Sequence, residues 1–154
     1  MLTFSLLVLI LANSSPAFPI TTTITCTIPK SFTISGFTKF TPVSSNPNPA
    51  RVDFSYGDDG ASVRTYCVLL GSTSTTIYDA PVACNDPDVR FLFEGSQLTI
   101  FEAYASCNAT DTAQVKGSIS VGTYCYPSPA GVPRGEGTQC QTPSVSLGGS
   151  LSPA

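Results

Sequence analysis

Residues 50–70, ARVDFSYGDDGASVRTYCVLL, decide the fold class. Val52, Phe54 and Tyr56 alternate with Asp53 and Ser55. Successive side chains of a strand point to opposite faces, so this period marks a strand with one buried face. Gly57–Asp58–Asp59–Gly60 then supplies residues that accept turn conformations. A return strand from Ser62 to Leu70 ends in Val68, Leu69 and Leu70 and reads as buried on both faces. The stretch is a β-hairpin.

The pattern recurs on either side. Residues 18–30 are rich in Thr and Ile, which favour extended backbone, and read as a short strand. Phe32 and Ile34 alternate with Thr33 and Ser35, and Gly36 marks a bulge or a close backbone approach. Pro42, Pro47 and Pro49 make the next stretch a loop, because proline has no N–H for a ladder. Beyond the hairpin, Thr76–Tyr78 reads as an edge strand within a Ser/Thr loop. Val89, Phe91 and Phe93 form one face, Glu94–Gly95–Ser96 a turn, and Leu98, Ile100 and Tyr104 a returning strand. Phe101–Ala105 interrupts that alternation, so a helix over 97–106 is the alternative. Val115, Ile119 and Val121 continue the strand pattern. After Tyr126, proline and glycine dominate, and residues 141–154 read as a flexible tail. About seven or eight short strands, frequent turns and no helical period predict an all-β antiparallel β-sandwich or β-barrel.

The chain opens MLTFSLLVLILANSSPAFP. Leu2 to Ala12 has the length of a signal-peptide core and falls short of the ~20 apolar residues a bilayer span needs. Ser15 and Ala17 fit the small-residue positions of a cleavage site, so residues 1–17 read as a signal peptide. Residues 18–140 then form a single β domain. No later apolar run anchors the chain to a membrane, and the expected location is secreted, extracellular. Six cysteines follow the cleavage point: Cys26, Cys67, Cys84, Cys107, Cys125 and Cys140. An even number in an exported chain predicts three structural disulfides, and spacing alone leaves their connectivity open. There is no histidine and no CxxC, so a metal site and a cofactor are not expected. Net charge is −3 without a basic run, which argues against nucleic acid as a partner. Only 11% of residues are charged, so Ser and Thr hydroxyls must provide much of the polar surface.

Three groups of residues carry a family likeness. FTISGF at 32–37 resembles the opening strand of small secreted fungal proteins related to the major Alternaria allergen. RTYCVLL, APVACNDPDVRFLF and LTIFEAY resemble that family's central portion, and TYCYP with GTQC its C-terminal cysteine loop. The resemblance spans residues 32–140. It implies a disulfide-stabilised β-barrel or sandwich, with Cys67–Cys84 and Cys125–Cys140 as pairs and Cys26 left for Cys107. A Cys67–Cys84 bond would tie a Ser/Thr-rich crossing loop to the sheet and stabilise it by about 3 kcal/mol in the chain-entropy view. Family members resemble effectors, elicitors and allergens, and the resemblance brings no catalytic set.

The residues themselves offer little catalytic chemistry. Without histidine, Ser-His-Asp and Cys-His arrangements are excluded. Lys30 beside Ser31 is adjacent in sequence and nothing more. Asp53, Glu94 and Glu102 are the carboxylates on predicted strands, where they would face solvent; a glycan hydrolase would need two of them about 5–9.5 Å apart. Asp58–Asp59 and Asp86–Asp88 read as acidic turns and lack an EF-hand spacing. Asn108–Ala109–Thr110 is a glycosylation sequon, and occupancy at Asn108 would mark an exposed turn beside Cys107. Tyr78, Tyr124 and Tyr126 fall near loops or cysteine-closed ends and are the candidate binding residues, because tyrosine pairs apolar area with a polar tip. The reading is a secreted, non-enzymatic protein that binds a host protein or another extracellular ligand, effector-like, elicitor-like or allergen-like. A surface-associated fungal cell-wall component is the alternative, and a carboxylate-dependent hydrolase a further one.

Overall fold

The computed structural model describes residues 27–71, 80–106 and 112–154. Eleven strands run through them: β1 (Ser31–Pro42), β2 (Ala50–Asp58), β3 (Arg64–Gly71), β4 (Val82–Ala83), β5 (Val89–Glu94), β6 (Gln97–Ala105), β7 (Thr112–Ser120), β8 (Tyr124–Ser128), β9 (Gly137–Gln141), β10 (Ser146–Ser150) and β11 (Ser152–Pro153). No helix occurs among the described residues. The first sheet has the order β3-β2-β1-β9-β8, with β10 also on β1; the second has the order β11-β7-β6-β5-β4. Every pairing is antiparallel. The two sheets form a sandwich rather than a closed barrel.

The inward faces follow the alternation. Phe32, Ile34, Val52, Phe54, Tyr56 and Leu69 come from the first sheet, and Val89, Phe91, Phe93, Leu98, Ile100 and Val115 from the second; all are buried in one core. Phe54 meets Phe91 edge-on across the sandwich with ring centroids 4.9 Å apart, and Phe37 meets Phe93 at 5.2 Å. Burying each phenylalanine is worth about 1.5–3 kcal/mol, so these rings are a main link between the sheets. Gly36 has φ +64°, and the β1–β2 register shifts between Ser35 and Thr38. This bulge brings Phe37 into the core, whereas Phe40 is buried on the opposite face beside Pro133 and Arg134. The β5–β6 turn needs a positive φ at Gly95 (+60°), a conformation open to glycine.

Cys67 is bonded to Cys84, and Cys125 to Cys140. The first bond joins β3, in the first sheet, to the chain just after β4, in the second. Asn85 N–H also donates to the Tyr66 carbonyl at 2.9 Å, which covers the open edge of β3. The second bond lies within one sheet, across directly paired residues of β8 and β9. Cys26, Cys107, Asn108, Tyr78, the expected signal peptide and the Thr76–Tyr78 strand lie outside the described residues.

Several expectations are corrected. Residues 27–30 are not strand. Residues 97–105 are a strand and not a helix, because β6 pairs with both β5 and β7 and both its edges are satisfied. The largest departure is the tail. Residues 146–150 pair with Ser31–Ser35, Leu151 is buried, and residues 152–153 cross to β7 of the second sheet. SLGGS shows no apolar alternation because the strand is chosen for closeness. A Cβ on Gly149 would collide with the Phe32 ring and Ile119, and one on Gly117 with the Ser150 carbonyl.

Candidate functional site

Strand register places the exposed tyrosines on one surface. Across the outer face of the first sheet, one row runs Tyr124, Gln141, Thr38, Asp53, Val68, and the next Tyr126, Gln139, Phe40, Arg51, Leu70. Tyr66 lies on the same face opposite Ser55.

At the centre is Asp53, which points outward as the alternation requires. It is nevertheless only 5% exposed, contrary to the expected solvent-facing carboxylate. Arg51 Nε donates to Asp53 Oδ2 at 2.8 Å, Arg134 Nη2 donates to the same oxygen at 3.1 Å, and the Tyr66 hydroxyl donates to Oδ1 at 2.8 Å. Hydrogen bonding to Asp53 and Tyr66 raises the pKa of Arg51 further. Arg134 arrives on the 129–136 loop and also donates to Thr38 and Gln139. The loop is braced from the other proline-rich segment: Asn46 Nδ2 donates to the carbonyls of Arg134 (3.0 Å) and Glu136 (2.7 Å), and Asn48 Nδ2 to Arg134 (2.9 Å). Two loops without strand propensity are thereby fixed over the sheet.

At one edge, Tyr124 and Tyr126 stand with ring centroids 6.1 Å apart. Gln141 lies between their tips: its amide donates to the Tyr124 hydroxyl, and its carbonyl accepts from Tyr126. The Cys125–Cys140 bond fixes the backbone beneath them. Beside Tyr126 opens a cleft of about 380 Å³ lined by Pro129, Val132, Pro133 and Arg134. Tyr126 is 41% and Tyr124 47% exposed.

The remaining carboxylates lie elsewhere. Glu102 is on β6, between Val89 and Val115 in register, and is fully buried between the sheets. The Tyr56 hydroxyl donates to its Oε2, while Oε1 has no partner among the described residues. Burial pushes the carboxyl's pKa up, the Tyr56 bond opposes this, and Asp58, Asp86 and Asp59 push it up further. Burial, then the neighbouring carboxyl, also raises the Tyr56 pKa, so its hydroxyl stays a donor. Glu94 is exposed at the β5–β6 turn. The fold therefore brings no two of Asp53, Glu94 and Glu102 into one cleft. Asp58 accepts the loop N–H groups of Gly60, Ala61 and Val63. Asp59 accepts those of Lys30 and Ser31 and the Ser31 hydroxyl, which hold its pKa down to about 2. Among the described residues no cluster of His, Cys, Asp or Glu could hold a metal.

The fold has counterparts among solved structures. One crystal structure of the Alternaria alternata major allergen Alt a 1 superposes with a TM-score of 0.57 at 15% identity, over 80% of this chain and 94% of that one. This chain resembles the Alternaria allergen in fold. A second crystal structure of Alt a 1 gives a TM-score of 0.57 at 14% identity, over 86% of this chain and 95% of the other. No family model matches the sequence, and no curated protein matches it.

Sequence reasoning missed Tyr66, Arg134 and Gln141. Outward alternation beside Cys67 could have found Tyr66. Nothing local marks Arg134, whose partner Asp53 is 81 residues away.

Proposed function

We propose that the protein is a secreted, non-catalytic binding protein, effector-like or allergen-like, whose extracellular target docks on the outer face of the first sheet. The observation that carries the reading is the Tyr124–Gln141–Tyr126 arrangement. Two exposed rings are held by a shared amide on a disulfide-closed strand pair, beside an apolar cleft. Tyrosines in fixed positions give contact area at low ordering cost, which is what a binding surface needs. The separation of the carboxylates and the lack of histidine support the non-catalytic part. The disulfides and the allergen-like fold are consistent with an extracellular location.

The test is capture from host extracellular fluid by immobilised, oxidised protein. The Tyr124→Ala/Tyr126→Ala variant, folded by circular dichroism, should lose at least about tenfold of the capture, as hot-spot truncation does. Equal capture by both forms would reject this surface.

A further inference from the structure

The half of the outer face away from Tyr124 and Tyr126 has a different chemistry. It is a trough of about 560 Å³ whose floor carries Thr33, Ser35 and Ser55, with Gly57 beside them. These three hydroxyls make no side-chain hydrogen bond among the described residues and face solvent or are half-buried. Tyr66 forms one wall. Its backbone pairs with Ser55, yet its hydroxyl reaches Asp53 two residues along β2. The ring therefore runs along the sheet instead of standing off it, and the residue keeps 37% exposure. Arg64 lies across Gly57, where a Cβ would touch its Cγ and Nη1. Arg51 and Arg134 are committed to Asp53, and Asp58 to loop amides, whereas the Arg64 guanidinium has no polar partner among the described residues.

We propose that this trough binds a saccharide bearing a carboxylate, a uronate, with Tyr66 stacking on the sugar ring, the hydroxyl rows meeting its hydroxyls and Arg64 taking the carboxylate. Charge decides between anions. A single free guanidinium matches one carboxylate in a planar, two-bond geometry. A net charge of −3 disfavours densely charged polyanions such as nucleic acid or a sulfated chain. The small floor residues offer no apolar pocket for a peptide side chain. The inference rests on the binding reading only in using the same face, since its residues differ from the tyrosine pair.

Calorimetric titration with short galacturonate and guluronate oligomers tests it, with their methyl esters, a neutral glucan and dextran sulfate as controls. The free-acid uronates should bind, and the esters and glucan at least about tenfold more weakly. Arg64→Gln and Tyr66→Ala should each weaken uronate binding about tenfold, while Tyr66→Phe, which keeps the ring, should retain most of it. Absence of uronate binding by the folded wild type overturns the proposal, as does equal binding by Arg64→Gln. Preference for dextran sulfate would make the site a non-specific anion surface and overturn it too. Tyr124→Ala/Tyr126→Ala separates the two readings: it should leave uronate affinity unchanged, so either activity can fail without the other.

Discussion

Asp53 and Glu102 are both buried carboxylates on strands, one outside the first sheet and one inside the sandwich, and they are treated in opposite ways. Asp53 has both oxygens occupied, by two guanidinium groups and a hydroxyl. Glu102 has one hydroxyl and an oxygen with no partner among the described residues, and burial, followed by three aspartates, raises its pKa. A buried charge is tolerable when paired and hydrogen-bonded; an unpaired one neutralises by taking a proton. The outer centre is therefore an ionic latch, holding the 129–136 loop to the sheet. The inner one is a carboxyl whose protonated form burial favours. The proposed binding face is built on the fully satisfied site, which suits a surface that must keep its shape.

The sharpest way to break the contrast is to remove the latch. Breaking a buried ion pair costs about 3–5 kcal/mol, and because both arginines are a third exposed and rehydrate, Asp53→Ala should cost about 2–3 kcal/mol. Urea unfolding measures the loss. Protection from proteolysis across residues 129–136 should fall as well, since Arg134 loses its anchor. A variant as stable as wild type would mean that Asn46 and Asn48 hold the loop without Asp53.

The inner acid should show itself through pH. Its folded pKa lies above that of the unfolded chain, so the folded state holds a proton that the unfolded state releases. Its effect is absent below about pH 4.3, and stability then declines as pH rises toward the folded pKa, by up to about 1.4 kcal/mol per pH unit. Asp59 acts at the other end: its pKa is lowered to about 2, so its contribution is present above about pH 4 and is lost as pH falls toward 2. As pH rises above about 4.3, urea midpoints should fall for wild type and stay level for Glu102→Gln. Parallel curves would show that Glu102 ionises inside the fold.

Much of this scaffold was legible in sequence, and its two carboxylates were legible in different degrees. The β2–β3 and β5–β6 hairpins were written in alternating aromatic and β-branched residues around turn signals, and Gly36 in the β1 bulge. The strands from β9 onward were not, because Gly137 and Gly149 are there to let Phe40 and Phe32 come close, and such strands owe their form to partners rather than propensity. Asp53 was placed on the correct face, but its burial comes from a loop more than 70 residues later. Glu102 follows Leu98 and Ile100 at the inward period of two, so its burial was readable. The run through Phe101 to Ala105 obscured it. Which residues meet on the outer face depended on the sheet order, and neighbours such as β1 and β9 are a long-range outcome.

The smallest expected effects come from the two tyrosines that serve these carboxylates. Tyr56→Phe removes the one side-chain hydrogen bond that Glu102 makes among the described residues and leaves a buried carboxyl without it, which should cost about 1–3 kcal/mol. Tyr66→Phe removes one of three bonds to Asp53, at a half-exposed position where water replaces it, and should cost only about 0.5–1 kcal/mol. Chemistry and size change are the same in both, so any difference in urea midpoint reports the surroundings alone. If the two variants lose equal stability, the inner acid must find a second partner on substitution, and the distinction between a latched charge and a stranded acid would collapse.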